Sequence, residues 1–252
     1  MSVTPSDKMC TVSFTAQRRG YLLGMNRDEK LSRPKGLAPQ IDLSAGRRVV
    51  FPSEPGGGTW IALNDVGVTF ALINWYPPNL LVENNSISRG TVVNSLAGQV
   101  SAEAAGTILA QLALRQINPF RLIGVFPGPM EIIEWRWNLL TLERIAHPWE
   151  TGIWISSSFN EPEAQHARES VFTNALRQRL SGNPRWLRRL HRSHSPARGP
   201  FSICMHRKDA STVSYTEVAV SKHYAKMRYH PVAPCSKAED FCQRLRLSNS
   251  LS

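Results

Sequence analysis

The sequence predicts an α+β domain in which a pair of antiparallel sheets carries helices on the outside. Strand-like segments follow one another in hairpin-like groups, and helix-like segments fall in two blocks, not in the alternation of a βαβ repeat. The 252 residues, 42% of them hydrophobic, can bury a substantial core and are too apolar for a disordered chain. The expected organisation is a leader or extension over 1–9, one domain over 10–234 and a flexible tail over 235–252.

Cys10 to Ala16 alternates polar Thr11, Ser13 and Thr15 with apolar Val12, Phe14 and Ala16, the period of a half-buried strand. Gln17-Arg18-Arg19-Gly20 then turns the chain, and Tyr21 to Met25 completes a hairpin. Residues 32 to 58 are rich in Pro and Gly and read as a surface loop ending in Pro55-Gly56-Gly57-Gly58. Thr59 to Leu63 and Val68 to Asn74 are strands around an Asn64-Asp65-Val66-Gly67 turn, stopped by Pro77-Pro78. Ser88 to Val100 and Ser101 to Gln116 read as helices with serine caps.

Short strands follow over Phe120–Phe126, Met130–Trp137, Leu139–His147 and Gly152–Ser156. Glu163 to Leu180 is predicted helical, with a further short helix over Arg185 to His191. Phe201–His206, Thr212–Val220 and Tyr224–His230 close the domain as strands, and the chain after Pro234 reads as mobile.

The formal net charge is +11, and no acidic residue occurs from Ser170 to Lys208. The arginines of that stretch, from Arg177 to Arg198, read as a solvated helix and loop face away from any Cys10 site, so nucleic acid is not the expected partner. No apolar run approaches the ~20 residues of a membrane span, and the start lacks an apolar secretory stretch. A cytoplasmic address and a small-molecule ligand are expected; the oligomeric state is open. The four cysteines, Cys10, Cys204, Cys235 and Cys242, are widely spaced and form no disulfide framework. Cys204, His206, His191 and His194 could be imagined around zinc, but their spacing matches no usual ligand pattern, and neither a metal ligand nor a cofactor is assigned.

Cys10 follows Met9 directly. Initiation at Met9 and removal of that methionine would give Cys10 a free α-amine, a base near neutral pH beside its own thiol. The expected functional form therefore begins at Cys10. The hairpin brings Asn26-Arg27-Asp28-Glu29 back beside Cys10, with Asp28 near the amine and Arg27 near a substrate anion. Asn74, at a strand end, can donate its amide to a developing oxyanion.

Met9-Cys10-Thr11, Gly24-Met25-Asn26-Arg27-Asp28-Glu29, Ser32-Arg33-Pro34, Gly57-Gly58-Thr59-Trp60, Ile73-Asn74 and Ser88-Arg89-Gly90, in that order, resemble the NRDE family, also called the transport and Golgi organisation protein family. The match runs over roughly residues 9 to 125. That family is similar in turn to N-terminal nucleophile hydrolases of the penicillin V acylase and bile salt hydrolase type. The resemblance implies a four-layer αββα sandwich. It also implies Cys10 as nucleophile, Asp28 as partner of the α-amine and Asn74 as oxyanion donor, with Asn26, Arg27, Trp60, Ser157 and Arg207 around a substrate. The chain departs from the hydrolases at Met25, where they carry Arg, and at Ser156-Ser157, where they carry Ser-Asn. It departs again at Cys204-Met205-His206-Arg207, where only Arg207 matches a Gly-Thr-Arg-Ser segment. The activity implied is amide hydrolysis at a linear, non-peptide C–N bond. The alternative is a non-catalytic pocket protein that binds or traffics haem or an acyl lipid, although Cys10-Thr11 is not the Cys-Pro pair of haem-regulatory sites.

Overall fold

The computed structural model describes residues 9–76, 81–82, 85–178 and 181–248. A six-stranded antiparallel sheet runs in the order β10 (Gly152–Ser157), β1 (Met9–Gln17), β2 (Gly20–Lys30), β11 (Ala210–Val220), β12 (Tyr224–His230) and β13 (Phe241–Arg246). A seven-stranded sheet follows chain order: β3 (Leu37–Ser44), β4 (Arg47–Ser53), β5 (Ile61–Asn64), β6 (Thr69–Asn74), β7 (Phe120–Phe126), β8 (Glu131–Trp137) and β9 (Leu142–His147). Helices α1 (Gly90–Leu96) and α2 (Ala102–Gln111) pack outside the seven-stranded sheet, and α3 (Glu161–Leu176) and α4 (Pro184–His191) outside the other. This is the expected αββα sandwich.

Period-2 alternation builds the layers. Val12 and Phe14 of β1 and Leu23 and Met25 of β2 point between the sheets, where they meet Ile61, Ala71 and Ile123. Thr11, Ser13 and Thr15 point the other way and are buried too, so β1 is not the half-buried strand that its alternation suggests. Its polar face is covered by α3 and α4, which meet it with polar groups: Arg168 donates to Thr11 Oγ1 at 2.6 Å, and His191 Nε2 lies 2.7 Å from Ser13 Oγ.

Several boundaries differ from expectation. Residues 32 to 58 hold a hairpin, β3 and β4, turned at Ala45-Gly46 with both residues at positive φ. β3 is an edge strand, largely exposed, and Pro39 sits at a break in its pairing register, where a missing N–H is tolerated. Phe201–His206 is irregular, apart from an isolated bridge from His206 to Ser211. The segment after Pro234 is not free: β13 pairs with β12 and buries Leu245 between polar neighbours, leaving no apolar alternation to read. The domain therefore runs past 234, and Met9 already belongs to β1. Ser101 caps α2, accepting from the Ala104 N–H, whereas α1 begins after Arg89 with no side-chain cap. α3 ends at Leu176. The leader over 1–8, the stop at Pro77-Pro78, the end of a helix at Leu180 and the last residues of the tail lie outside the described residues. No described helix is long and apolar enough to cross a membrane.

Candidate functional site

Register places the central residues. On β1 and β2, Cys10 stands opposite Arg27 and Thr11 opposite Asn26; Cys10 also pairs with Ser156 of β10. Cys10 and Arg27 therefore share the face turned toward the seven-stranded sheet, where β6 ends at Asn74. Between the sheets opens a cavity of about 390 Å3 whose lining includes Cys10, Arg27, Asp28, Trp60 and Asn74. Five residues expected at the site are thus brought together.

Cys10 is 5% exposed. Burial, reinforced by the neighbouring Asp28 charge, pushes its thiol up to about 12; the Asp28 backbone N–H and the Arg27 charge oppose the shift without reversing it. With residues attached ahead of Cys10, the thiol is protonated at neutral pH. Asp28 sits on the opposite face of β2 from Arg27, and its carboxylate turns toward the helix layer. Thr212 Oγ1 donates to Oδ1 at 2.5 Å, and Arg168 Nη2 lies 3.4 Å from Oδ2. Thr212 is opposite Asp28 on β11, next to a register shift that sets it there. Burial raises the Asp28 carboxyl to about 6, against the lowering effect of Arg168 and Thr212, so it is mostly ionised at pH 7.

The Arg27 guanidinium lies 4.4 Å over the Trp60 ring and donates to Glu29 at 3.3 Å and to Glu54. Arg33 closes this network with bonds of 2.9 Å to both Glu29 and Glu54. Arg27 is therefore engaged by two carboxylates, contrary to the expectation that it meets a substrate anion. Arg89 enters the cavity from the start of α1 with a 3.0 Å bond to the Pro119 carbonyl. Burial lowers its pKa, opposed most by the Tyr76 hydroxyl and then by Cys10. Burial also pushes the Tyr76 hydroxyl well above its ordinary range, with Arg89 opposing and Cys10 adding to the shift, so the three side chains share one neighbourhood.

Three expected substrate contacts lie elsewhere. Asn26 is fully buried on the helix side of β2, donating to the His191 and Ile203 carbonyls at 3.0 and 2.8 Å, and so braces the sheet. Ser157 donates to the Phe159 carbonyl at 2.6 Å and accepts from the Phe159 N–H, a local turn. Arg207 bonds Asp209 at 3.0 and 3.1 Å and lies over the Phe159 ring. None of the three lines the cavity. Sequence reasoning missed Glu54, hidden in the segment taken as a loop, and Arg168, whose helix position carries no chemical signal. Arg89 was visible within its motif. No described residue from Arg177 to Arg198 lines the cavity, but α4 is not a free surface helix, since it buries Trp186, Leu187, Leu190 and His191. Arg179 lies outside the described residues.

Two packed antiparallel sheets with helices outside both form the sandwich seen in solved structures of N-terminal nucleophile hydrolases. Penicillin V acylase from Agrobacterium tumefaciens superposes with a TM-score of 0.52 at 9% identity, covering 86% of this chain and 82% of that one. A variant of conjugated bile acid hydrolase from Clostridium perfringens superposes with a TM-score of 0.50 at 10% identity, covering 96% and 98%. At such identities the likeness is one of fold. The chain belongs to the Transport and Golgi organisation 2 family, whose sequence model matches residues 9–139. No curated protein matches it in sequence.

Proposed function

We propose that this protein is a hydrolase of the N-terminal nucleophile type, cleaving a linear amide C–N bond of a small molecule through Cys10. The observation that carries the reading is the cavity between the sheets that Cys10 and Asn74 share, with Asp28 on the strand beside Cys10 and its carboxylate held on the far face of that strand by Thr212 and Arg168. The working form begins at Cys10, through initiation at Met9 and removal of that residue or through cleavage of residues 1 to 9. An amide nitrogen at Cys10 has no lone pair to take a proton, and the thiol of the extended chain is pushed up to about 12.

In that form the α-amine takes the thiol proton as Sγ bonds to the substrate carbonyl carbon. The Asn74 amide and a backbone N–H donate to the tetrahedral oxyanion. The C–N bond then breaks, the leaving amine carries off the proton, and an acyl thioester remains on Cys10. Water adds to the thioester, Sγ leaves and regains a proton, and a carboxylic acid departs. Asp28 holds the protonated amine between steps. Trp60, backed by Arg27, walls the cavity, and Arg89 offers its cation to an anionic group of the substrate. The lining is mostly polar and charged, which suits a small polar amide better than a porphyrin or an acyl chain.

Intact mass and hydrolysis of a panel of N-acyl p-nitroanilides, measured together, test this reading. A chain starting at Cys10 is expected to release p-nitroaniline. Cys10→Ala should abolish release with the fold intact, and Asn74→Ala should lower kcat by roughly 10²–10³. Full activity from a homogeneous chain that retains residues 1 to 9 would refute the mechanism.

A further inference from the structure

Near the exit of β2, three chain segments meet. His194 follows α4, Cys204 and His206 precede β11, and Cys235 follows β12. Their ligand atoms all lie within 4.8 Å of one another, with Cys204 buried and the other three half-buried. His206 Nε2 is the hub, 3.2 Å from His194 Nε2, 3.5 Å from Cys204 Sγ and 3.4 Å from Cys235 Sγ. One imidazole nitrogen offers either one N–H or one lone pair, so it cannot satisfy three such neighbours by hydrogen bonding. Both cysteines are free thiols.

We propose that His194, Cys204, His206 and Cys235 form a structural zinc site. Zn–N bonds of about 2.0–2.1 Å and Zn–S bonds of about 2.3 Å give a tetrahedron with edges of roughly 3.3 Å between nitrogens and 3.6 Å between nitrogen and sulfur. The three distances from His206 Nε2 are close to those edges, so small side-chain adjustments suffice. Two thiolates and two neutral imidazoles cancel the ion's charge, and binding releases the two thiol protons. His206 then keeps its remaining proton on Nδ1, and the exposed Arg198, 3.4 Å from that atom, turns outward.

The loops already hold these side chains in place. The Cys204 N–H bonds the Ser193 carbonyl at 3.0 Å, the His206 N–H bonds the Gly199 carbonyl at 3.2 Å, and the Met205 N–H bonds Thr212 Oγ1 at 2.8 Å. His191, the other histidine of this region, is committed instead to Ser13 and Asn26, and Cys235 takes the fourth place. Four protein ligands close the coordination, so the ion's role is to tie the loops together. The tied segments include Ile203, whose carbonyl holds Asn26, and Thr212, which holds Asp28.

The test uses the tag-free full chain, stripped with a chelator under reducing conditions and titrated with Zn²⁺ or Co²⁺. Expected are about one zinc per chain and a cobalt spectrum with intense tetrahedral d–d bands and thiolate charge-transfer bands. Cys235→Ser and His194→Ala should weaken metal binding at least tenfold and remove the tetrahedral signature, while Cys242→Ser, on the exposed edge strand, should change nothing. A pale octahedral cobalt spectrum in the wild-type chain would overturn the proposal, as would a full tetrahedral signature in Cys235→Ser. A Cys204–Cys235 disulfide in the protein as isolated from reducing buffer would do so as well. Should a variant fail to fold, the wild-type cobalt spectrum decides alone.

Discussion

The carboxylate of Asp28 on β2 lies 3.4 Å from the guanidinium of Arg168 on α3, and both side chains are fully buried. Removing one member of such a pair leaves an uncompensated charge away from water. Arg168→Met is expected to cost about 3–5 kcal/mol in urea unfolding. Adding Asp28→Asn should restore part of the loss, because the stranded charge is then gone. Equal stability of the Arg168→Met and double variants would show that a stranded Asp28 charge is not the source of the loss.

Alkylation of Cys10 in a chain that retains residues ahead of it is expected to be slow. Its thiol is buried and pushed up to about 12, and reactivity follows the thiolate. The exposed Cys242 is the internal comparison. Mass spectrometry of iodoacetamide-treated protein near pH 7.5 should find Cys242 modified first, and Cys10 modified first would contradict the burial argument. A chain beginning at Cys10 should reverse the order.

Glu134, fully buried on β8, accepts from Arg121 at 2.5 Å and from Arg136 at 2.8 Å, and meets His147 at 2.8 Å. Burial alone would raise its pKa; bonds and charges from Arg136 and Arg121 outweigh it and hold the carboxyl at about 2, below the ordinary 4.5. The unfolded chain therefore takes up this proton first as pH falls. The stabilisation is complete above pH 4.5 and is lost as pH drops toward about 2. Its size is roughly 3 kcal/mol. Urea titrations from pH 6 to 3 should show a shallower acid limb in Glu134→Gln than in the wild type, and identical limbs would exclude Glu134 as a source.

A methyl group at Gly36 would lie 2.7 Å from the Trp60 ring and 2.7 Å from the Tyr229 hydroxyl. Trp60 also carries the Arg27 guanidinium, so displacement of the ring is felt in the cavity. Gly36→Ala is expected to destabilise by roughly 1–3 kcal/mol, as overpacking does, and to alter tryptophan emission. An unchanged spectrum and stability would mean that the loop moves aside freely.

Much of the fold could be read from particular segments. β7 coincides with its expected span because Phe120–Phe126 is an apolar run bounded by Pro119 and Pro127. The opposition of Cys10 and Arg27 was legible because a short turn fixes the register of the first hairpin. β3 and β13 were not, since each is a largely exposed edge strand with little apolar alternation. The cavity's ion network was hidden for another reason: Glu54 meets Arg27 across 27 positions of the chain, and Arg168 meets Asp28 across 140. Such pairings depend on how layers stack, which no local period encodes.

β1 has β2 as one neighbour and β10 as the other. The first is joined to it by a tight turn; the second ends only at Ser157. During translation, then, the strand bearing Cys10 waits with one flank unpaired while the intervening chain emerges. At ordinary elongation rates of about 5–20 residues per second, that wait is on the order of ten seconds. Throughout it the β10 side of the strand bearing Cys10 has no partner strand. Closure by β10 and the helices covers that flank, so the proposed maturation to a Cys10 terminus has its most open substrate in the nascent chain, before the cavity exists.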